Sequence, residues 1–152
     1  MLLVLAFLIG IVAGLRAMTA PAAVAWGAAH GWFDVSQTPF AFMAYRWTPL
    51  IFTLLAVLEL VTDQLPSTPS RKVPIQFSAR IIMGALTGAT IGASGGMLVG
   101  GLIAGIIGAI VGTLGGAAAR SKLASVFGKD PPAAFIEDAV AIVGALVIVA
   151  AA

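Results

Sequence analysis

Residues 79–119 read ARIIMGALTGATIGASGGMLVGGLIAGIIGAIVGTLGGAAA, with Arg80 as the only charge. As one helix this stretch would run ~60 Å at 1.5 Å per residue, about twice the ~30 Å hydrocarbon core of a bilayer. Ala93-Ser94-Gly95-Gly96 supplies a break, so the stretch reads as a tight helical hairpin with arms at about 80–94 and 97–119. Gly84, Gly88 and Gly92 recur every four residues on the first arm. Gly101, Gly105, Gly108 and Gly112 follow at spacings of three and four on the second. Residues four apart share a helix face, so each arm presents a stripe that a neighbouring backbone can approach. In lipid, where apolar surface alone gives little drive to associate, such stripes hold helices together. The plain reading is packing, within the chain or between protomers; the functional one is a glycine-lined conduit or a sliding interface. Residues 112–122 lack the spacing and the preceding strand of a phosphate-binding loop.

Working outward, 61% of the 152 residues are hydrophobic and 9% are charged, against about 25% charged in a typical soluble domain. Mean hydropathy is +1.10. So few charges cannot cover so much apolar surface, and a lipid bilayer is the simpler solvent. The expected fold class is all-α: a polytopic integral membrane helix bundle forming a single transmembrane domain over 1–152. Five spans are expected, at about 2–29, 47–65, 80–94, 97–119 and 133–152. Pro21 is placed to kink or break the first. Residues 30–46 read as an interfacial loop or short surface helix, 66–74 as a proline-punctuated loop, and 120–132 as a polar loop. The N-terminus lacks the basic region of a cleaved signal peptide and reads as a retained span.

The net charge of +2 does not point to nucleic acid, because the basic residues form no stripe. With a cytoplasmic N-terminus, the inner loops would hold Arg71, Lys72, Arg80, Arg120, Lys122 and Lys129, and the outer ones only Arg46. That is a strong positive-inside bias, and it puts Trp26, Trp32 and Trp47 at the outer interface. Cysteine is absent and His30 is the only histidine. No thiolate or His-rich metal site and no cofactor is expected.

Acids inside spans are expensive, at roughly 2.5–3.5 kcal/mol for a charge at the bilayer centre. Glu59 and Asp63 fall on the second span, Glu137 and Asp138 on the fifth. Counted from the flanking prolines, Glu59 and Glu137 lie ~8–10 Å from the inner loops and share a layer. Asp63 and Asp138 also read plainly as interfacial residues, and Glu137 as a first-turn acid favoured by the helix dipole. Glu59 lies deeper within its apolar run. Arg80 and Arg120 flank the same surface as possible counter-ions. Arg16 has two readings: it snorkels outward, or it lines a polar pocket where the first helix is broken. An inverted repeat fits poorly, since Glu59 and Glu137 fall on the same side.

Gly14-Leu15-Arg16-Ala17-Met18-Thr19-Ala20-Pro21, Leu65-Pro66-Ser67-Thr68-Pro69-Ser70-Arg71 and Ile136-Glu137-Asp138-Ala139-Val140-Ala141-Ile142 resemble a family of small bacterial inner-membrane proteins classed as a domain of unknown function, number 4126. The resemblance implies a bacterial inner-membrane protein and supplies no activity. The residues themselves suggest a non-enzymatic function: a small, homo-oligomeric transporter or channel for an ion or small solute. Glu59, Asp63, Glu137, Asp138, Arg16, Arg80 and Arg120 would line its polar path. The alternative is a structural or regulatory subunit that docks a partner through its glycine-rich helices. An enzyme, which would have to rely on carboxylates alone, comes third.

Overall fold

The computed structural model describes residues 1–62, 74–128 and 130–152. Among these the chain is all-helical, without a strand. In order come α1 (Leu2–Leu15), α2 (Thr19–Ala29), a 3-10 turn (Ala41–Ala44), α3 (Thr48–Thr62), α4 (Pro74–Ser94), α5 (Leu98–Phe127) and α6 (Asp130–Ala151). Residues 63–73, with Asp63, Arg71, Lys72 and most of the proline-punctuated loop, lie outside the described residues, as does Lys129.

The glycine hairpin forms where the sequence placed it. Gly96 turns it with φ 77°, a backbone conformation that glycine adopts without strain. A methyl on Gly88 would lie 2.7 Å from the Gly105 Cα, and one on Gly92 would lie 2.8 Å from the Gly101 Cα. These backbones touch, as small-residue packing requires. Gly108 and Gly112 do something else: they face α1, where added methyls would come within 2.9 Å of Ile11 backbone atoms. Gly10 and Gly14 answer from α1, the latter against Ala109 and Thr113. α5 is thus held between α4 and α1 by glycines on two faces.

The expected first span over 2–29 is two helices instead. Leu2 and Leu3 lie near Gly95 and Gly100, while Gly14 lies against Thr113, so α1 runs parallel to α5. The chain then turns back at Arg16–Met18. Gly27 reaches Val149 near the end of α6, so α2 runs the opposite way to α1. The first segment is therefore a helical hairpin, and Met1 sits at the end of the bundle opposite Arg80 and Arg120. This corrects the expectation that the N-terminus shares the basic end. Pro21 is not the breaker. It is the third residue of α2, in the first turn, where no intrahelical bond needs its missing N–H.

The segment expected to be a polar loop from residue 120 is largely helix. α5 continues through Arg120-Ser121-Lys122-Leu123-Ala124, mostly strong helix formers, and ends at Gly128 in the left-handed conformation, φ 74° and ψ 3°, the usual stop for a helix. α4 likewise begins at Pro74, six residues before Arg80. Residues 30–46 do more than coat the surface, because Phe33, Val35 and Met43 enter the hydrophobic core. Within this cap the Ser36 hydroxyl and N–H donate to Asp34 at 2.7 and 2.9 Å. The hydroxyl bond first, then the backbone one, hold the Asp34 carboxyl below its ordinary value of 3.8.

The bundle's flanks are apolar where a soluble protein's would be polar. Leu54 and Val147 are 61% and 62% exposed, and Ile103, Val140 and Val143 stand out in the same way. α5 is, among the described residues, the one helix long and apolar enough to cross a membrane; α1 and Thr48–Val61 of α3 are apolar but shorter.

Candidate functional site

A helix that stops inside a bundle strands carbonyls at its C-terminus, and the next helix strands N–H groups at its start. At Arg16–Met18 both sets meet. Arg16 is extended, with φ −142° and ψ 109°, and completely buried. Each of the four other long helices sends a side chain to this turn.

From α3, Glu59 accepts hydrogen bonds from the Ala17 and Met18 N–H groups at 3.1 and 3.3 Å. A carboxylate there satisfies orphan donors and faces the positive end of the α2 dipole. From α4, Arg80 donates to the Gly14 carbonyl at 2.8 Å, meeting the negative end of α1. Thr113 of α5 donates to the same oxygen at 3.4 Å. From α6, Asp138 accepts from the Arg16 Nε at 2.6 Å and from a terminal guanidinium nitrogen. Glu137 accepts from Arg16 at 3.4 Å and lies 3.9 Å from Arg120. Arg16 also donates to the Leu15 carbonyl at 3.2 Å.

Six of the seven charged residues singled out in the sequence therefore converge on one turn; Asp63 is outside the described residues. Three arginines and three carboxylates carry equal and opposite formal charge, so the layer is balanced as a set. The outward-snorkelling reading of Arg16 fails, since the turn folds its side chain into the bundle. Glu59 and Glu137 do share a layer, and Arg16–Met18 stands between them. The layer is recessed: Arg80 lies six residues inside α4, ~9 Å at helical rise, and Glu137 seven inside α6, ~10 Å.

Sequence reasoning missed Thr113 and the backbone groups of Gly14, Ala17 and Met18. A polar residue in the apolar run Ile110-Val111-Gly112-Thr113-Leu114 was the available signal for Thr113. Nothing local marks Ala17 and Met18, which are good helix formers. Among the described residues no group of three or more His, Cys, Asp or Glu side chains could hold a metal ion.

Fold and site together define an all-helical bundle organised around a buried, charge-capped break between two short antiparallel helices. The profile of the family described as "Domain of unknown function (DUF4126)" matches residues 3–152, and the chain belongs to that family. No curated protein and no solved structure matches it.

Proposed function

We propose that the chain is a multi-pass protein of the bacterial inner membrane that moves an ion or small solute through the charged layer at the α1–α2 turn. The basic end, with Arg80, Arg120 and Lys122, faces the cytoplasm by the positive-inside rule. Both chain ends then lie outside, and α1–α2 is a re-entrant hairpin. The observation that carries the reading is Arg16. It is fully buried at a break between half-length helices and met by carboxylates from α6. Non-helical backbone at membrane depth is tolerated where protein buries it or a cavity solvates it, and discontinuous helices whose ends meet charge are a recurring way to build transport sites. The exposed aliphatic flanks of α3, α5 and α6 support the lipid setting. Assembly into homo-oligomers remains part of the reading.

The docking alternative has less support. Gly84, Gly88, Gly92, Gly101, Gly105, Gly108 and Gly112 face other helices of the same chain, so this stripe is taken up within the bundle.

Purified protein in proteoliposomes tests the proposal through a flux screen of protons, monovalent ions and small organic solutes against empty vesicles. Flux that disappears in a folded Glu59→Gln variant supports it. Folded, correctly inserted protein with no flux above empty vesicles across the screen overturns it, and so does flux indifferent to Glu59→Gln.

A further inference from the structure

Beside the charged layer, on the side toward Trp26, α3 and α6 both pack on α2 but hardly on each other. Between them lies a groove of about 210 Å³ floored by Ala22 and Ala23. Its walls are Ala56, Val57 and Leu60 on one side and Ile142, Ala145 and Leu146 on the other. One end is closed by Trp26, whose indole N–H donates to Thr53 at 2.7 Å. At the other end stands Thr19, 7% exposed, whose hydroxyl has no hydrogen-bond partner among the described residues. The mouth opens sideways onto the apolar flank, where Val57 and Leu146 are half-exposed.

The orphan hydroxyl has a local cause. Thr87 and Thr90, inside α4, return their hydroxyls to Met83 and Leu86 one turn back. Thr19 is the first residue of α2 and has no preceding turn to bond. A buried hydroxyl left without a partner is costly, so a ligand that completes it gains what a hydrocarbon cannot supply. Size narrows the choice, since a dry apolar cavity of ~150 Å³ accepts benzene. This groove is somewhat larger; the Thr53 hydroxyl at one end is bonded to Trp26, and the Thr19 hydroxyl at the other is the polar group without a partner among the described residues.

We infer that the groove binds a small, uncharged amphiphile that enters from the bilayer, its apolar body over Ala22 and Ala23 and its single hydrogen-bonding group at Thr19. A phenol or a short alcohol has this chemistry. The inference rests on the membrane-embedded reading, but it does not require the charged layer to carry flux.

Trp26 lines the site and reports on it. With Trp32→Phe and Trp47→Phe in the background, 4-bromophenol should quench the remaining indole saturably in detergent-solubilised full-length protein. Bromobenzene should bind more weakly. Thr19→Val keeps the shape and removes the hydroxyl; it should weaken bromophenol about fivefold and leave bromobenzene unchanged. Ala23→Leu fills the floor and should abolish saturation, and Leu146→Phe, on the exposed rim, does the same should the floor variant fail to fold. Quenching that rises linearly with probe, or that persists in the filled variants, reflects partition into detergent and overturns the site. Saturable binding with no difference between the two probes, or none on Thr19→Val, overturns the assignment of an amphiphile. Loss of binding in protein that still fractionates with membranes sinks this inference alone, whereas protein that leaves the membrane fraction sinks the membrane reading.

Discussion

Gly105 and Gly144 are both helical glycines in apolar sequence, and the same substitution should move stability in opposite directions. A methyl on Gly105 would overlap the Gly84 carbonyl oxygen and stand 2.9 Å from its carbon and 3.0 Å from the Gly88 Cα. Carbon atoms rest at ~3.5–4.0 Å, so α4 must retreat by roughly 0.5–1 Å along a contact two helices long. A gap of that size forfeits a quarter to a half of the dispersion well for each atom pair it opens, and overpacking of this kind costs about 1–3 kcal/mol. Alanine's better helix propensity returns up to about 1 kcal/mol, leaving a net loss of order 1–2 kcal/mol. At Gly144 the new methyl meets only a Val12 methyl, at 3.9 Å, an ordinary contact. There the propensity gain stands alone, at about 0.5–1 kcal/mol. Thermal loss of helical circular dichroism in detergent should therefore begin earlier for Gly105→Ala than for the parent, and later for Gly144→Ala. A Gly105→Ala variant that melts with or above the parent would refute the argument that these backbones touch.

Arg16→Met should destabilise the protein by about 3–5 kcal/mol, because it removes the buried cation that Asp138 and Glu137 share, although Arg120 stays beside Glu137. Adding Glu137→Gln and Asp138→Asn should recover part of that loss, and no recovery in the same melting assay would show that the pairing is not what Arg16 supplies. Single cysteines at Ser36 and Ser125 should differ in intact cells: an impermeant thiol reagent labels the first and spares the second, while an N-terminal tag is accessible with Ser36. Accessibility of the tag with Ser125 instead would remove the α1–α2 hairpin. Asp34 has a lowered folded pKa, so its two bonds to Ser36 stabilise the cap above the ordinary value of 3.8 and are lost as pH falls through the folded value. The Ser36 amide resonance should follow that titration below 3.8 and stop doing so in Asp34→Asn.

The glycine hairpin was legible because a backbone contact imposes the same demand at every fourth residue, and Gly84, Gly88, Gly92, Gly101 and Gly105 repeat it. Gly10 and Gly14 meet the same demand from α1, but two glycines do not make a visible period. The charged layer was legible from the expense of Glu59 and Glu137 at depth. Where the chain turns was not. Arg16-Ala17-Met18 contains no residue that disfavours helix, and the turn holds because Glu59, Arg80 and Thr113 supply, from other helices, the bonds a continuous helix would have made. Those partners are 41 to 99 positions away in sequence, beyond any local signal. Pro21 drew the break toward itself although a first-turn position suits it. Arg120–Phe127 looks like loop in the sequence because its polarity ends the apolar run, while its helix propensity does not end.

The turn at Arg16 also imposes an order of events on the growing chain. Its partner Asp138 is 122 residues downstream, which is roughly 6–24 s of synthesis at ~5–20 residues per second. Throughout that interval Asp138 and Glu137 do not yet exist, while Glu59, Arg80 and Thr113 can already reach the turn from helices made earlier. The charged layer is therefore completed from the two ends of the chain: the first pair of helices made receives its last ion pairs from the last helix made.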